Sequence, residues 1–459
     1  MLLTLELALN DLVSLVWGEF VLIPLLSMVG LFLMIGLRAV PWRYLPFAIG
    51  LLRRSHSSSA AGEISPFQAL MTALSATIGT GNIAGVATAI YFGGPGAVFW
   101  MWIIALIGMA TKYSEALLAV KFRQVDSNGH FVGGPMYYIK NGLGARWSWL
   151  ASAFAIFGMI AAFGIGNMVQ SNSVADVLSS GYAIDTRLTG VVLAALTAAV
   201  IIGGIRRIAD VVQRLVPFMA VSYLLTALLI LVLNFELIPG AFTVIVSSAF
   251  NGHAASGGFL GATIWMAVRW GFARGIFSNE SGLGSAAIAH GAAKTNSPAR
   301  QGMIAMLGTF IDTIVMCTLT GLVLIVTNAW QSGEQGASMS ALAFSTTLGA
   351  PGGHIVAVGL AVFAFTTIIG WSYYGERCAA YLFGTTIIPV YRIFWIAAIV
   401  LGAIFKLNIV WAFADLFNGL MAIPNLIALV LLSPVVFSET RTYIRNLAGL
   451  KRPISIDKS

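Results

Sequence analysis

The chain is a succession of long apolar runs divided by short polar turns, and that succession decides what it can become. A helix crossing the hydrocarbon core of a bilayer needs about 20 mostly apolar residues. Eleven stretches satisfy this requirement: 15–37, 66–92, 96–120, 148–176, 187–205, 210–234, 260–290, 302–328, 353–383, 389–406 and 410–434. Only 9% of the residues are charged, against roughly 25% in a soluble domain. The apolar surplus therefore has to face lipid. The expectation is an all-α integral membrane protein of eleven transmembrane helices. Pro and Gly punctuate the turns, as in Gly93-Gly94-Pro95 and Gly133-Gly134-Pro135.

The net charge of +8 does not point to nucleic acid, because the basic residues sit in short loops rather than on one face. Arg38, Arg43, Arg53, Arg54, Lys121, Arg123, Lys140, Arg146, Arg206, Arg207, Arg214, Lys294, Arg300, Arg392, Arg441, Arg445, Lys451, Arg452 and Lys458 fall on one side of an eleven-helix topology. Arg187 and Lys406 fall on the other. The rich side reads as cytoplasmic. The N-terminus is then outside, the C-terminus inside, and the location a cell inner membrane. No Lys or Arg precedes Arg38, so the first run reads as a retained helix rather than a cleaved signal. Cys317 and Cys378 lie in apolar runs and suggest neither a disulfide nor a metal site.

Two spans carry interruptions rich in Gly and polar residues, Ser75–Asn82 and Gly271–Gly282. Each Gly lowers helix stability by about 1 kcal/mol relative to Ala. A break inside a bilayer is tolerated only where protein or a cavity satisfies the freed backbone groups. Set the first helix aside, and the breaks fall in the first helix of each of two groups of five, which have opposite orientation. Broken helices in matching halves point to a transport site. Hydropathy thus predicts a single transporter domain: an extra helix at 15–37, repeats at 66–234 and 260–434, and a cytoplasmic tail at 440–459. A kinked structural helix packed through small residues is the plainer alternative for either segment.

The chemistry suits a zwitterion. A half-helix N-terminus at Gly81-Asn82 offers N–H groups and a partial positive charge to a carboxylate, and carbonyls freed at the other break suit an ammonium. In the ninth run, Phe363, Thr366 and Thr367 share a helix face. A hard cation takes oxygen ligands: the Thr366 and Thr367 hydroxyls and the Phe363 carbonyl, completed by carbonyls of Ala76 and Gly79. Alternatively both threonines bond only their own helix backbone.

The stretch Gly93-Gly94-Pro95-Gly96-Ala97-Val98-Phe99-Trp100-Met101-Trp102, continuing to Gly108, resembles the signature of the alanine or glycine:cation symporter family. Gly79-Thr80-Gly81-Asn82 and Phe277-Ser278-Asn279-Glu280-Ser281-Gly282 resemble that family too, and the likeness runs from about residue 15 to 440. It implies a fold like the bacterial leucine transporter, a 5+5 inverted repeat with one extra N-terminal helix. It also implies sodium- or proton-coupled uptake of alanine or glycine, with no organic cofactor. By that resemblance Thr80, Gly81 and Asn82 hold the substrate's polar ends and Gln170 adds a hydrogen bond. Phe272, Gly275, Ile276, Thr367 and Trp371 then shape a small pocket.

Lys112, Glu115, Arg269, Arg274, Glu280, Asp312, Glu376 and Arg377 lie within or near the spans. Intramembrane ionisable groups are functional candidates, as structural pairs and gates or, for Glu280 and Asp312, as a proton relay. Metalloprotease, nucleophile-and-base and nucleotide-loop motifs are missing, which argues against an enzyme or an ATP-driven pump. No channel filter motif is evident.

Overall fold

The computed structural model describes residues 2–18, 21–52, 60–251, 261–405 and 408–450. Arg53, Arg54, Lys406, Lys451, Arg452 and Lys458 lie outside them. The chain is helical almost throughout: α1 Leu2–Val16, α2 Leu22–Gly36, α3 Val40–Arg43, α4 Leu45–Leu51, α5 Pro66–Thr77, α6 Val86–Gly93 and α7 Gly96–Lys121. A short hairpin pairs Gln124–Val125 with Phe131–Val132. There follow α8 Pro135–Tyr138, α9 Ser148–Phe163, α10 Val169–Tyr182, α11 Thr186–Ile201, α12 Gly204–Leu233, α13 Ile238–Asn251, α14 Ile264–Asn279 and α15 Ser285–Gly291. The chain ends with α16 Pro298–Thr309, α17 Thr318–Val326, α18 Gly336–Leu348, α19 Ala350–Phe383, α20 Ile388–Ile404, α21 Asn408–Leu431 and α22 Ser433–Leu450.

Local chemistry sets several of these ends. Ser65 and Gln68 form a reciprocal capping box ahead of Pro66 (3.1 and 2.9 Å), which satisfies two of the free donors at the start of α5. Thr263 and Ser297 cap α14 and α16 in the simpler one-way form. Wide π-helical turns at Gly81–Gly85, Gly164–Met168 and Phe310–Cys317 interrupt otherwise continuous helices, and such turns concentrate at functional sites. Gly81 and Ile165, in the first two, line the cavity where the helix breaks meet, and Asp312 in the third binds Asn82 and Ser278 beside it.

Among the described residues, seven helical stretches are long and apolar enough to cross a membrane, and the bent pair Pro66–Thr77 and Gly81–Gly93 makes an eighth. The protein is a multi-pass membrane protein. The helices α2 and α11, with 15 and 16 residues, fall short of the usual span length. The helix expected over 15–37 is α2, which begins only at Leu22; Leu15 and Val16 belong to the end of a separate helix, α1. α1 ends at Val16, where the Trp17 indole N–H donates to the Asp415 carbonyl of α21 at 2.8 Å. Of the tail expected over 440–459, residues 440–450 belong to α22, and 451–459 lie outside the described residues. Thr440 meets Tyr113 at 2.8 Å and Glu439 meets Lys121 at 2.7 Å, which anchors that amphipathic helix to α7. The helices α13 and α18 fall between the apolar runs, where hydropathy marks no span.

The second break also differs from expectation. Gly271 and Gly275 sit inside the unbroken α14, because they serve close packing. A Cβ on Gly271 would lie 2.4 Å from the Ala97 carbonyl oxygen, and one on Gly275 would lie 2.9 Å from Ile104, both on α7. The helix stops at Glu280, in the left-handed region at φ 56°, and restarts at Ser285. The interruption is therefore Glu280–Gly284.

Charged residues gather at one end of the bundle. Arg206 and His130 hold Glu63 at 3.0 and 3.1 Å. Arg377 joins Asp126 and Glu376 at 3.1 and 2.7 Å, and Arg392 reaches Glu376 at 2.6 Å. Arg123 donates to the carbonyls of Ala293, Thr295 and Ala61 at 2.6 to 3.0 Å. The Arg123 contacts lock the strap around residues 60–64 against 291–295, where Ile64 bridges Ala293.

Candidate substrate and ion site

The two interrupted helices meet. A Cβ on Gly81 would lie 3.3 Å from the Ser278 Cα, so the restart of one helix touches the last turn of the other. Between α5 and the Gly81–Gly93 helix the axis turns by 52°. The Asn82 side chain stabilises this corner: its Oδ1 accepts from the Gly79 amide at 3.0 Å and its Nδ2 donates to Asp312 Oδ1 at 2.7 Å. Asp312 also accepts from Ser278 and Thr313, each at 2.8 Å. At the other break, Glu115 of α7 accepts from the Gly282 amide at 3.0 Å and from Asn425 at 2.7 Å. Side chains thus satisfy backbone groups that a continuous helix would have paired internally.

A cavity lies at the junction, lined by Ala76, Thr77, Gly79, Thr80, Gly81, Ile165, Gln170, Phe277, Glu280, Leu283, Thr367 and Trp371. Its volume is about 10 Å³, room for about one water. Two polar atoms in its lining residues, Thr80 Oγ1 and Gln170 Oε1, are buried without a hydrogen-bond partner among the described residues. Gln170 donates through Nε2 to the Ile165 carbonyl at 2.9 Å. Its Oε1 lies 3.7 Å from where a Cβ on Gly79 would be.

Thr80, Gly81, Gln170, Thr367 and Trp371 are therefore brought together. Asn82 is turned away from the cavity toward Asp312. Phe272 and Gly275 face α7, with the Phe272 ring 6.0 Å from that of Trp100. Ile276 is buried outside the lining. For these three the expected wall is replaced by Phe277, Glu280 and Leu283, because the break comes later in the chain than the glycines suggested. Ile165, in a wide turn between α9 and α10, joins the wall; its setting in Gly164-Ile165-Gly166-Asn167, the same Gly-x-Gly-Asn pattern as the first break, is the signal that could have found it.

The candidate ion ligands are only partly assembled. The Thr367 hydroxyl lies 3.0 Å from the Phe363 carbonyl and 3.1 Å from that of Ser75, so it bridges α19 to α5. A Cβ on Gly79 would fall 2.5 Å from the same hydroxyl, whereas Ala76 packs at Gly370. Thr366 donates to Phe363 at 2.9 Å and lies beside Met219 of α12. The threonines do bond their own helix, and Thr367 additionally reaches the break.

Beside the cavity, Lys112 is fully buried, with Glu115, Glu280 and Asp312 as its charged surroundings. Its ammonium has no hydrogen bond among the described residues. Lys112 and Glu115 share a helix face as their spacing implied, but Glu115 is occupied by Gly282 and Asn425. Glu280 accepts from Ser285 at 2.6 Å. On the far side of the cavity from the Arg123 strap, Phe277 stacks on Trp411 at 6.2 Å and Arg274 lies 3.7 Å from Asp415.

An all-helical membrane bundle with two broken helices meeting at a small polar cavity defines a secondary-transporter architecture. The solved structure of MhsT in complex with L-phenylalanine is similar in fold, with a TM-score of 0.53 at 14% identity, over 83% of this chain and 99% of that one. The model of the sodium:alanine symporter family matches residues 3–456, and the chain belongs to that family. A sodium/alanine symporter, AgcS of Methanococcus maripaludis, is 52% identical over 95% of this chain and 96% of its own. An uncharacterized transporter of Haemophilus influenzae is 51% identical over 97% of each chain. The protein is an amino-acid symporter rather than an enzyme, and its family is one of sodium co-transport.

Proposed function

We propose that this protein carries alanine or glycine into the cell together with sodium by alternating access. The observation that carries this reading is the pair of buried, unpartnered polar atoms at the junction of the breaks. Gln170 Oε1 is an acceptor suited to an ammonium. The Thr80 hydroxyl and the amides opening the helix at Gly81 suit a carboxylate. Leaving such atoms unpaired costs about 1–3 kcal/mol each, which a small zwitterion recovers. Phe277, Leu283, Ile165 and Trp371 leave little room for a side chain, which favours the smallest amino acids. In this reading sodium is held by Ala76, Gly79, Phe363, Thr366 and Thr367, which the movement of the broken helices would gather.

The cavity is too small for the substrate as it stands, and contacts close both of its flanks. Entry therefore requires the broken helices to move against the scaffold, first on one side and then on the other. The full topology in this reading is eleven spans in a 5+5 inverted repeat in the inner membrane, N-terminus outside and C-terminus cytoplasmic. Proton coupling is the second reading, favoured by one observation: the Glu280 carboxylate lines the cavity beside Lys112.

Uptake of labelled alanine into proteoliposomes under an imposed sodium gradient tests the proposal. Sodium-dependent accumulation, reduced by unlabelled glycine, D-alanine or L-alanine, is expected. Accumulation driven by a proton gradient without sodium would support the second reading, and no uptake of any small amino acid would remove both.

A further inference from the structure

At the basic end of the bundle the chain leaves α2 through a corner that no glycine eases. Arg38 and Ala39 are both left-handed, at φ 53° and 55°. Such a conformation in non-glycine residues is held only when the surroundings impose it, and it clusters at binding sites. The corner turns Arg38 and Arg43 toward α22, whose Arg441 and Arg445 line the opposite wall. The four arginines surround one groove of about 300 Å³ with Leu37, Val40, Phe437 and Ile444 in its wall. A second depression, with Phe437, Arg441 and Arg445 in both, continues along α22.

Among the described residues none of the four guanidinium groups forms an ion pair with the chain, and no carboxylate lines the groove. The nearby Glu439 is engaged by Lys121 at 2.7 Å. Four uncompensated cations on one concave surface call for an anion. The neighbouring surface indicates which anion. Leu31, Phe32 and Ile35 of α2 are exposed, and this apolar face ends at Gly36, just before Arg38. An apolar face that gives way to a cluster of arginines is the profile of a membrane–water interface.

We propose that this groove holds the phosphate headgroup of an anionic glycerophospholipid. Its acyl chains lie along the exposed face of α2, and its phosphate sits among Arg38, Arg43, Arg441 and Arg445. Guanidinium is suited to this task, because its planar fork donates two hydrogen bonds to one phosphate. The apolar wall and the adjoining apolar face distinguish a lipid from free phosphate, which needs neither.

The test is native mass spectrometry of the full chain, released from detergent and titrated with phosphatidylglycerol or phosphatidylethanolamine of identical acyl chains. The wild-type protein is expected to retain phosphatidylglycerol the more tightly. At about 1 kcal/mol per arginine near a lipid surface, or roughly five-fold each, the Arg441→Gln/Arg445→Gln pair should weaken it about 25-fold. Phosphatidylethanolamine, whose ammonium offsets the same phosphate, should lose much less. Arg207→Gln/Arg214→Gln removes the same charge from exposed positions on α12 and should have little effect. If the α22 pair fails to fold, Arg43→Gln alone provides the reading at about five-fold.

An equal loss in the α12 control pair would reduce the effect to net charge. Equal retention of the two lipids, or full displacement by inorganic phosphate alone, would overturn the proposal. Because no uptake is measured, the outcome is independent of what the protein transports.

Discussion

The Gln170 amide shows how a single side chain is readied for a substrate. Its Nε2 is fixed by the Ile165 carbonyl at 2.9 Å, so its Oε1 cannot exchange places with it without losing that bond. Gln170→Leu keeps the volume and removes the acceptor. Loss of a buried hydrogen bond to a charged group costs about 1.5–3 kcal/mol. We expect the KM for alanine uptake to rise roughly 10- to 150-fold, with the sodium dependence retained. An unchanged KM would take Gln170 out of the substrate site. Thr367 gives the complementary case. Its hydroxyl joins α19 to the end of α5, and Thr367→Val replaces it by a methyl of similar shape. The sodium concentration for half-maximal uptake should increase several-fold while KM at saturating sodium moves little. A sodium response like that of the wild type would exclude the hydroxyl from the ion site.

At the scale of the element, the first break depends on glycine for closeness rather than for flexibility. A Cβ at Gly79 would lie 2.5 Å from Thr367 Oγ1, and this neighbour belongs to a β-branched side chain with little freedom to retreat. Gly79→Ala should push α5 from α19 at a cost of about 1–3 kcal/mol and lower sodium-driven uptake by at least about ten-fold. Gly359→Ala, at a position on α19 with open space around it, should transport at the wild-type level. Equal activity in the two variants would show that the contact at Gly79 is slack.

The same elements show what the sequence could tell. Gly79-Thr80-Gly81-Asn82 announces a break because two glycines flank a polar residue in an apolar run, and the structure turns the helix there. Gly271 and Gly275 look the same in sequence yet pack an intact helix against α7, since small residues serve close approach as well as interruption. The true stop depends on Glu280 adopting a left-handed backbone and on Glu115 and Asn425, more than a hundred residues distant, binding the Gly282 backbone just beyond it. No local pattern encodes such a partner, although Asn425, set between Pro424 and the apolar end of α21, is a visible sign. The hydropathy pattern makes the membrane fold legible. The lining of the cavity is legible only where the first break, the Gly-x-Gly-Asn at 164–167, Gln170 and the Thr367–Trp371 face supply it.

For the whole molecule, the contacts at the basic end decide whether that side can open. Glu63 is central, because its buried carboxyl joins His130 on the hairpin, the Phe131 amide and Arg206 on α12. Burial pushes its pKa up, but the hydrogen bonds from His130, Phe131 and Arg206 outweigh that and hold it below the ordinary 4.5. A carboxyl depressed in the folded state contributes stability that is fully present above the unfolded value and is lost as the pH falls through the folded one. The strap should therefore be intact at neutral pH and loosen only below about pH 4.5. Glu63→Gln keeps the shape and removes the charge. In detergent it should melt below the wild type at pH 7, and the difference should shrink as the pH falls below 4.5 and through the lower folded-state value, where the wild-type carboxyl becomes neutral too. Because the Arg206 side of the pair is 72% exposed and hence screened, added salt should narrow the gap at pH 7 without closing it; His130 and the Phe131 amide still face the carboxyl. A melting difference that stays constant from neutral to acid pH would mean that the charge on Glu63 does not hold the strap, which would then rest on the Arg123 contacts and the backbone bonds between 61–64 and 292–295.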